Sequence, residues 1–133
     1  MRERSPAAPS DRGALEIYLN MQDWEAAAQA ALEKKAENVI LLDIGKVSSL
    51  TGHFVVATGT NSRQTQAIAD GIRDDLRERG VRPLGVEGMN QGEWILMDYG
   101  DFLVHIFTPE KRGFYDLERL WSNAPRTLVS EAA

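Results

Sequence analysis

The side chains best able to do chemistry lie between His53 and His105. Asp98 and Asp101 flank the dipeptide Tyr99-Gly100, and His105 follows shortly after. Two carboxylates so spaced could ligate a metal or act as an acid–base pair. Two-metal enzymes, however, need several carboxylates converging on one point, and aspartate is common beside a turn for turn chemistry alone. His105 sits inside an apolar run, where an isolated histidine is more often a hydrogen-bonded structural group than a catalyst. His53 has no obvious carboxylate beside it and is left unassigned. No Ser-His-Asp set can be built from spacing, because triads are defined by geometry. Gly59-Thr60-Asn61-Ser62, followed by Arg63, links an apolar run to a helical pattern and could cradle a phosphate. It has neither a Walker lysine nor G-x-G-x-x-G spacing, so a tight turn with an N-cap is the simpler reading.

Composition narrows the options. The 133 residues suit one domain, and 43% hydrophobic with 26% charged residues is the balance of an ordinary globular chain. The absence of cysteine excludes disulfides, thiolate catalysis, zinc ribbons and iron–sulfur clusters. The two histidines cannot alone form a structural zinc site. Asp and Glu number 20 against 15 Lys and Arg, a net charge of −5. That balance argues against direct, phosphate-driven nucleic-acid binding and leaves room for a basic protein partner. No run approaches the roughly 20 apolar residues that span a bilayer, and no secretion signal follows Met1. A cytoplasmic location without membrane contact is the expectation.

The elements that must position these residues can be read from periodicity. Residues 1–18 read as a poorly ordered N-terminal tail, 19–126 as the folded domain and 127–133 as a C-terminal tail. A helix is expected from Asp23 as N-cap, with Trp24, Ala27, Ala28, Ala31 and Leu32 inward and Lys34 and Lys35 in its last turn. Val39 to Leu42 suits a strand buried on both faces, and Phe54 to Ala57 a second. Asn61 then caps a long helix whose inward stripe is Thr65, Ile68, Ala69, Ile72 and Leu76, with Gly80 at its end. A short strand near Leu84 to Val86 precedes a hairpin of Trp94–Met97 and Phe102–Phe107. Thr108-Pro109 opens a last helix carrying Phe114, Leu117 and Trp121 inward. The sum is an α/β domain with a mixed sheet of about five strands and flanking helices.

The hairpin region carries an unusual charge pattern. No Lys or Arg occurs between Arg82 and Lys111, whereas Glu87, Glu93, Asp98, Asp101 and Glu110 fall there beside Trp94, Tyr99 and Phe102. An acidic, aromatic hairpin is what a binding face for a basic protein looks like; a solvated hairpin with core aromatics is the other reading. If Tyr99-Gly100 is the loop, Asp98 lies opposite Asp101, Leu96 opposite Leu103 and Trp94 opposite His105. These six then share one face, and Ile95, Met97, Phe102, Val104 and Ile106 share the other.

From Val39 to Trp121 the chain resembles the Iojap family, the bacterial ribosomal silencing factors. The resemblance rests on Ala57-Thr58-Gly59-Thr60-Asn61-Ser62-Arg63, Ala67-Ile68-Ala69-Asp70, Gly85-Val86-Glu87-Gly88, Trp94-Ile95-Leu96-Met97-Asp98-Tyr99-Gly100-Asp101, Val104-His105-Ile106-Phe107 and Tyr115-Asp116-Leu117-Glu118-Arg119-Leu120-Trp121. It implies a nucleotidyltransferase-like fold without established enzyme activity, and no cofactor or metal. It also implies a repressor of translation under nutrient limitation. Such a repressor binds the large ribosomal subunit through large-subunit protein fourteen and blocks joining to the small subunit. The family's hairpin Trp, Asp and His match Trp94, Asp98 and His105. Taken with the acidic, aromatic hairpin face, this makes Trp94, Asp98, Tyr99, Asp101, Leu103 and His105 the expected partner site, and a homodimer could use the same face. The chain departs from the family pattern at Thr51-Gly52-His53-Phe54, where a carboxylate is usual, and at Ser62-Arg63-Gln64, where the third residue is usually histidine. The alternative reading is a metal-dependent, nucleotidyltransferase-like enzyme using Asp98 and Asp101.

Overall fold

The computed structural model describes residues 11–129. Five α-helices and six strands follow one another as α1 (Arg12–Asn20), α2 (Asp23–Glu33), β1 (Glu37–Leu42), β2 (His53–Thr58), α3 (Ser62–Glu78), β3 (Gly85–Glu87), β4 (Trp94–Asp98), β5 (Phe102–Phe107), α4 (Pro109–Tyr115), α5 (Leu117–Leu120) and β6 (Arg126–Leu128). The strands form one mixed sheet in the order β3-β4-β5-β2-β1-β6. Only β2 and β5 run parallel; every other neighbouring pair is antiparallel. No helix among the described residues is long and apolar enough to cross a membrane.

Alternation along the strands sorts the core into two layers. One face of the sheet turns Val39, Val55, Ala57, Ile95, Met97, Phe102, Val104 and Ile106 towards α2 and α3, whose alanines and Ile68, Ile72 and Leu76 complete the cluster. The opposite face turns Ile40, Leu42, Phe54, Val56 and Phe107 towards Leu117, Trp121 and Ala124. The α/β expectation therefore holds, and the helical stripe Thr65, Ile68, Ala69, Ile72, Leu76 is buried throughout.

The differences lie at the ends and the caps. The tail expected over residues 1–18 lies outside the described residues up to residue 10; its last part is helix α1, with Tyr18 buried. Arg79 at the end of α3 holds that helix. Its guanidinium donates to the Tyr18 carbonyl at 2.9 Å and to the Met21 carbonyl, pairs with Asp23 at 3.1 Å and lies 5.1 Å from the centre of the Tyr18 ring. Asp23 is free to do this because Gln22, not Asp23, caps α2; the Glu25 carboxylate accepts from the Gln22 N–H at 2.9 Å. Lys34 and Lys35 fall just beyond α2 rather than in its last turn.

At the other end, part of the expected tail 127–133 is strand β6, antiparallel to β1 with Ile40 opposite Leu128. This sixth strand has three exposed residues and no alternation, so no periodic signal marks it. The expected single last helix is two, because Asp116 takes a left-handed φ of 48° between α4 and α5. The bend delivers Leu117 and Trp121 to the sheet but leaves Phe114 outside, 77% exposed.

Candidate functional site

The hairpin of β4 and β5 is built around its turn. The Tyr99 N–H donates to the Phe102 carbonyl at 3.0 Å, so the loop is Gly100-Asp101 rather than Tyr99-Gly100. Gly100 has a φ of 83°, which side chains resist and which a two-residue hairpin loop requires at its first position. The Asp98 carboxylate accepts from the Gly100 N–H at 2.8 Å and closes the turn. The register consequently shifts by two from the expected one: Asp98 lies opposite Leu103, Leu96 opposite His105 and Trp94 opposite Phe107. A two-residue shift changes partners without exchanging faces, because side chains alternate with period two. Trp94, Leu96, Asp98, Leu103 and His105 thus keep a common face. Asp98 and Asp101 are not a cross-strand pair, and the expected repulsion between them across the ladder does not arise.

The six residues expected at the partner site separate into three environments. Trp94, Asp98 and Leu103 are half-buried, and Asp101 is exposed at the turn. Tyr99 is placed elsewhere: its ring stacks on Phe102 at 4.8 Å and is 9% exposed within the α2–α3 core. Burial raises the Tyr99 hydroxyl to a pKa of about 12, and that hydroxyl has no hydrogen-bond partner among the described residues. His105 is only 5% exposed. It lies beneath the face, edge-on to Phe54 at 4.5 Å, and accepts the indole N–H of Trp94 on Nδ1 at 3.1 Å. Burial holds its pKa down at about 4, so the ring is neutral at ordinary pH.

Residues outside the expected partner site pack around Trp94 and extend the surface. Tyr115 lies on Trp94 with ring centres 4.4 Å apart, and Phe107 stands 5.1 Å from Trp94 and 6.2 Å from Tyr115, so the three rings form one cluster. Phe114 and Leu120 are exposed beside Tyr115 around a shallow hollow that also includes Arg119. Arg112 anchors this lip. Its guanidinium donates to the Asn38 carbonyl and to Thr58 Oγ1 (2.8 Å), and pairs with Glu118 at 3.3 Å. Phe114 read as a core residue because helical periodicity alone cannot register a left-handed break at an aspartate. The loop before β2 docks on the turn: Thr51 Oγ1 donates to the Gly100 carbonyl (2.9 Å) and the Gly52 N–H to the Asp101 carbonyl (3.0 Å).

The remaining chemical candidates are tied into the fold. Asn61 accepts from the Gln64 N–H at 2.9 Å, as its cap position requires. Gln64 accepts from the Thr60 N–H and hydroxyl at 2.7 Å, while its amide donates to the carbonyls of Lys34 and Lys35. The loop therefore engages its own groups, and Gly59 lets it lie against Thr65 of the first α3 turn, where a Cβ would meet Thr65 N at 2.8 Å. His53 stacks on Trp24 at 3.9 Å and lies 3.9 Å from Asp43 of the preceding loop. Among the described residues no group of three or more His, Asp or Glu side chains could hold a metal ion.

Comparisons with known proteins agree with one another. A family model described as ribosomal silencing factor during starvation matches residues 20–133. Ribosomal silencing factor RsfS of Bacillus subtilis is 38% identical over 99 residues, covering 74% of this chain and 84% of its own length. The RsfS of Chromobacterium violaceum is 39% identical over 116 residues, covering 86% and 95%. A crystal structure of a protein from Chromobacterium violaceum superposes with a TM-score of 0.74 at 37% identity, covering 85% of this chain and 97% of that one.

Proposed function

Because the chain belongs to the ribosomal silencing factor (Iojap) family, we propose that it represses translation by occlusion. In this reading it binds the large ribosomal subunit through large-subunit protein fourteen and denies the small subunit its docking surface. It acts in the cytoplasm, under nutrient limitation, and makes and breaks no bond. The observation that carries the reading is the hairpin face. Trp94, Leu96 and Leu103 offer apolar area, Asp98 and Asp101 offer negative charge, and Phe114, Tyr115 and Leu120 form an apolar lip beside them. Half-buried aromatics rimmed by acids suit a basic ribosomal protein. Trp94 is the expected hot spot, and Asp98, Asp101 and Leu103 its surroundings. A second copy of the chain could cover the same face, and self-association would then compete with subunit binding.

The test is sedimentation of the purified chain with isolated large and small subunits, followed by reassociation. The chain is expected to pellet with large subunits only and to lower the yield of whole ribosomes. Binding is expected to weaken as salt rises, because charges of opposite sign across the interface are screened. Equal binding to both subunits, or to neither, sinks the reading.

A further inference from the structure

Trp94 and His105 were expected to stand side by side at the centre of the partner site, yet only one of them can touch a partner. Trp94 is half-buried, whereas His105 is 5% exposed. Phe54 lies edge-on to the imidazole at 4.5 Å, and Leu96 stands opposite His105 in the ladder. What links His105 to the surface is the hydrogen bond from Trp94 Nε1–H to Nδ1, at 3.1 Å.

We infer that His105 is a positioning residue: a buried acceptor that fixes the Trp94 indole so that it is presented to the partner already oriented. This deepens the reading of the hairpin face as the binding site and rests on it. An indole N–H can only donate, so the atom facing it must be a lone pair. The imidazole is therefore neutral, with Nδ1 bare and the proton on Nε2, which has no hydrogen-bond partner among the described residues. A protonated ring would turn an N–H against the indole N–H. The low pKa that burial imposes keeps the required form populated.

The geometry defines the indole on several sides. Phe107 and Tyr115 pack against it at 5.1 and 4.4 Å. Packing of this kind confines a ring, but the hydrogen bond specifies which edge turns inward. Without the acceptor, the indole N–H would be left facing a cluster of carbon or would swing towards water. A rotamer-rich anchor that must be ordered during association weakens binding, whereas one ordered beforehand does not. Asparagine carries its oxygen near the place of Nδ1 and can substitute as acceptor; phenylalanine fills the space without one.

The experiment begins on the free, full-length chain labelled with 15N. The Trp94 indole signal, assigned through Trp94→Phe, is expected to exchange slowly with solvent, and the His105 side chain to show bare Nδ1 and protonated Nε2. A rapidly exchanging indole or the opposite tautomer overturns the inference, and neither measurement depends on ribosomes or on a variant of His105 folding. Sedimentation with large subunits follows, with thermal melting of each variant as a check. His105→Phe is expected to bind roughly three- to tenfold more weakly, His105→Asn to recover most of that loss, and His105→Phe to cost nothing further on a Trp94→Phe background. Equal binding by folded His105→Phe and wild type overturns the positioning role. Absence of wild-type binding to large subunits sinks the proposed function instead, while the exchange rate and tautomer still decide whether His105 holds Trp94.

Discussion

Replacing Arg112 by methionine removes a side chain that ties α4 to the ends of β1 and β2. The magnitude follows from its surroundings. The Arg112 side chain is 11% exposed and that of Glu118 21%, so their ion pair at 3.3 Å is neither a surface pair nor a fully buried one. Removing one member of a buried pair costs about 3–5 kcal/mol, whereas surface pairs contribute about 0–1 kcal/mol. Glu118 Oε1 has no hydrogen-bond partner among the described residues, so losing Arg112 leaves the carboxylate poorly compensated. The Asn38 carbonyl and the Thr58 hydroxyl also lose their donor, each loss costing about 1 kcal/mol. Methionine preserves most of the apolar stem, which limits any cavity. The balance is a destabilisation of about 3 kcal/mol, or roughly 10 °C in melting temperature for a domain of this size. Urea unfolding followed by circular dichroism measures it. Adding Glu118→Gln to Arg112→Met is expected to return about 1 kcal/mol, because the amide removes the unpaired buried charge. Arg112→Met within 0.5 kcal/mol of wild type, or a double variant less stable than the single one, would refute the clamp.

Other consequences can be checked on the same material. His105 is neutral in the fold with a pKa of about 4, against an ordinary value of 6.5 in the unfolded chain. Its share of stability is therefore complete above about pH 6.5 and is lost as pH falls towards 4, a difference of roughly 3 kcal/mol. Urea titrations across that range should show the slope in wild type and a flatter one in His105→Asn; parallel curves would contradict it. Gly100→Ala forces a side chain into a φ of 83° and is expected to lower stability by about 1 kcal/mol, measured by thermal melting, with subunit binding retained. Arg79→Ala removes the contacts to Tyr18, Met21 and Asp23; faster amide exchange confined to α1 is expected, and unchanged exchange there would show that other contacts hold it.

The sequence by itself determined whatever rests on local periodicity and local chemistry. The α3 stripe, the strands of the hairpin, the Asn61 cap and the sorting of hairpin residues into two faces all follow from spacings within one element, where backbone geometry dictates which side chains align. The face assignment outlived a wrong register for the same reason: moving the loop to Gly100-Asp101 shifts the pairing by two, and two is the period of a strand. The run of Lys- and Arg-free chain beside Trp94 also marked the candidate face before any fold was known.

What only the tertiary structure decided involves partners distant in the chain. Helix α1 depends on Arg79, 61 residues beyond Tyr18. Strand β6, exposed and unpatterned, exists because the edge of β1 offers it a ladder. Arg112 reaches Asn38, 74 residues away, and holds α4 there, while the break at Asp116 sends Leu117 inward and leaves Phe114 at the surface. Among the site residues, Tyr99 read as a turn residue of the acidic, aromatic hairpin and His105 as a member of its outer face, yet burial placed one in the helical core and the other beneath Trp94. Alternation states which side of a sheet a residue occupies; how deeply it is covered there depends on what the rest of the chain lays over it.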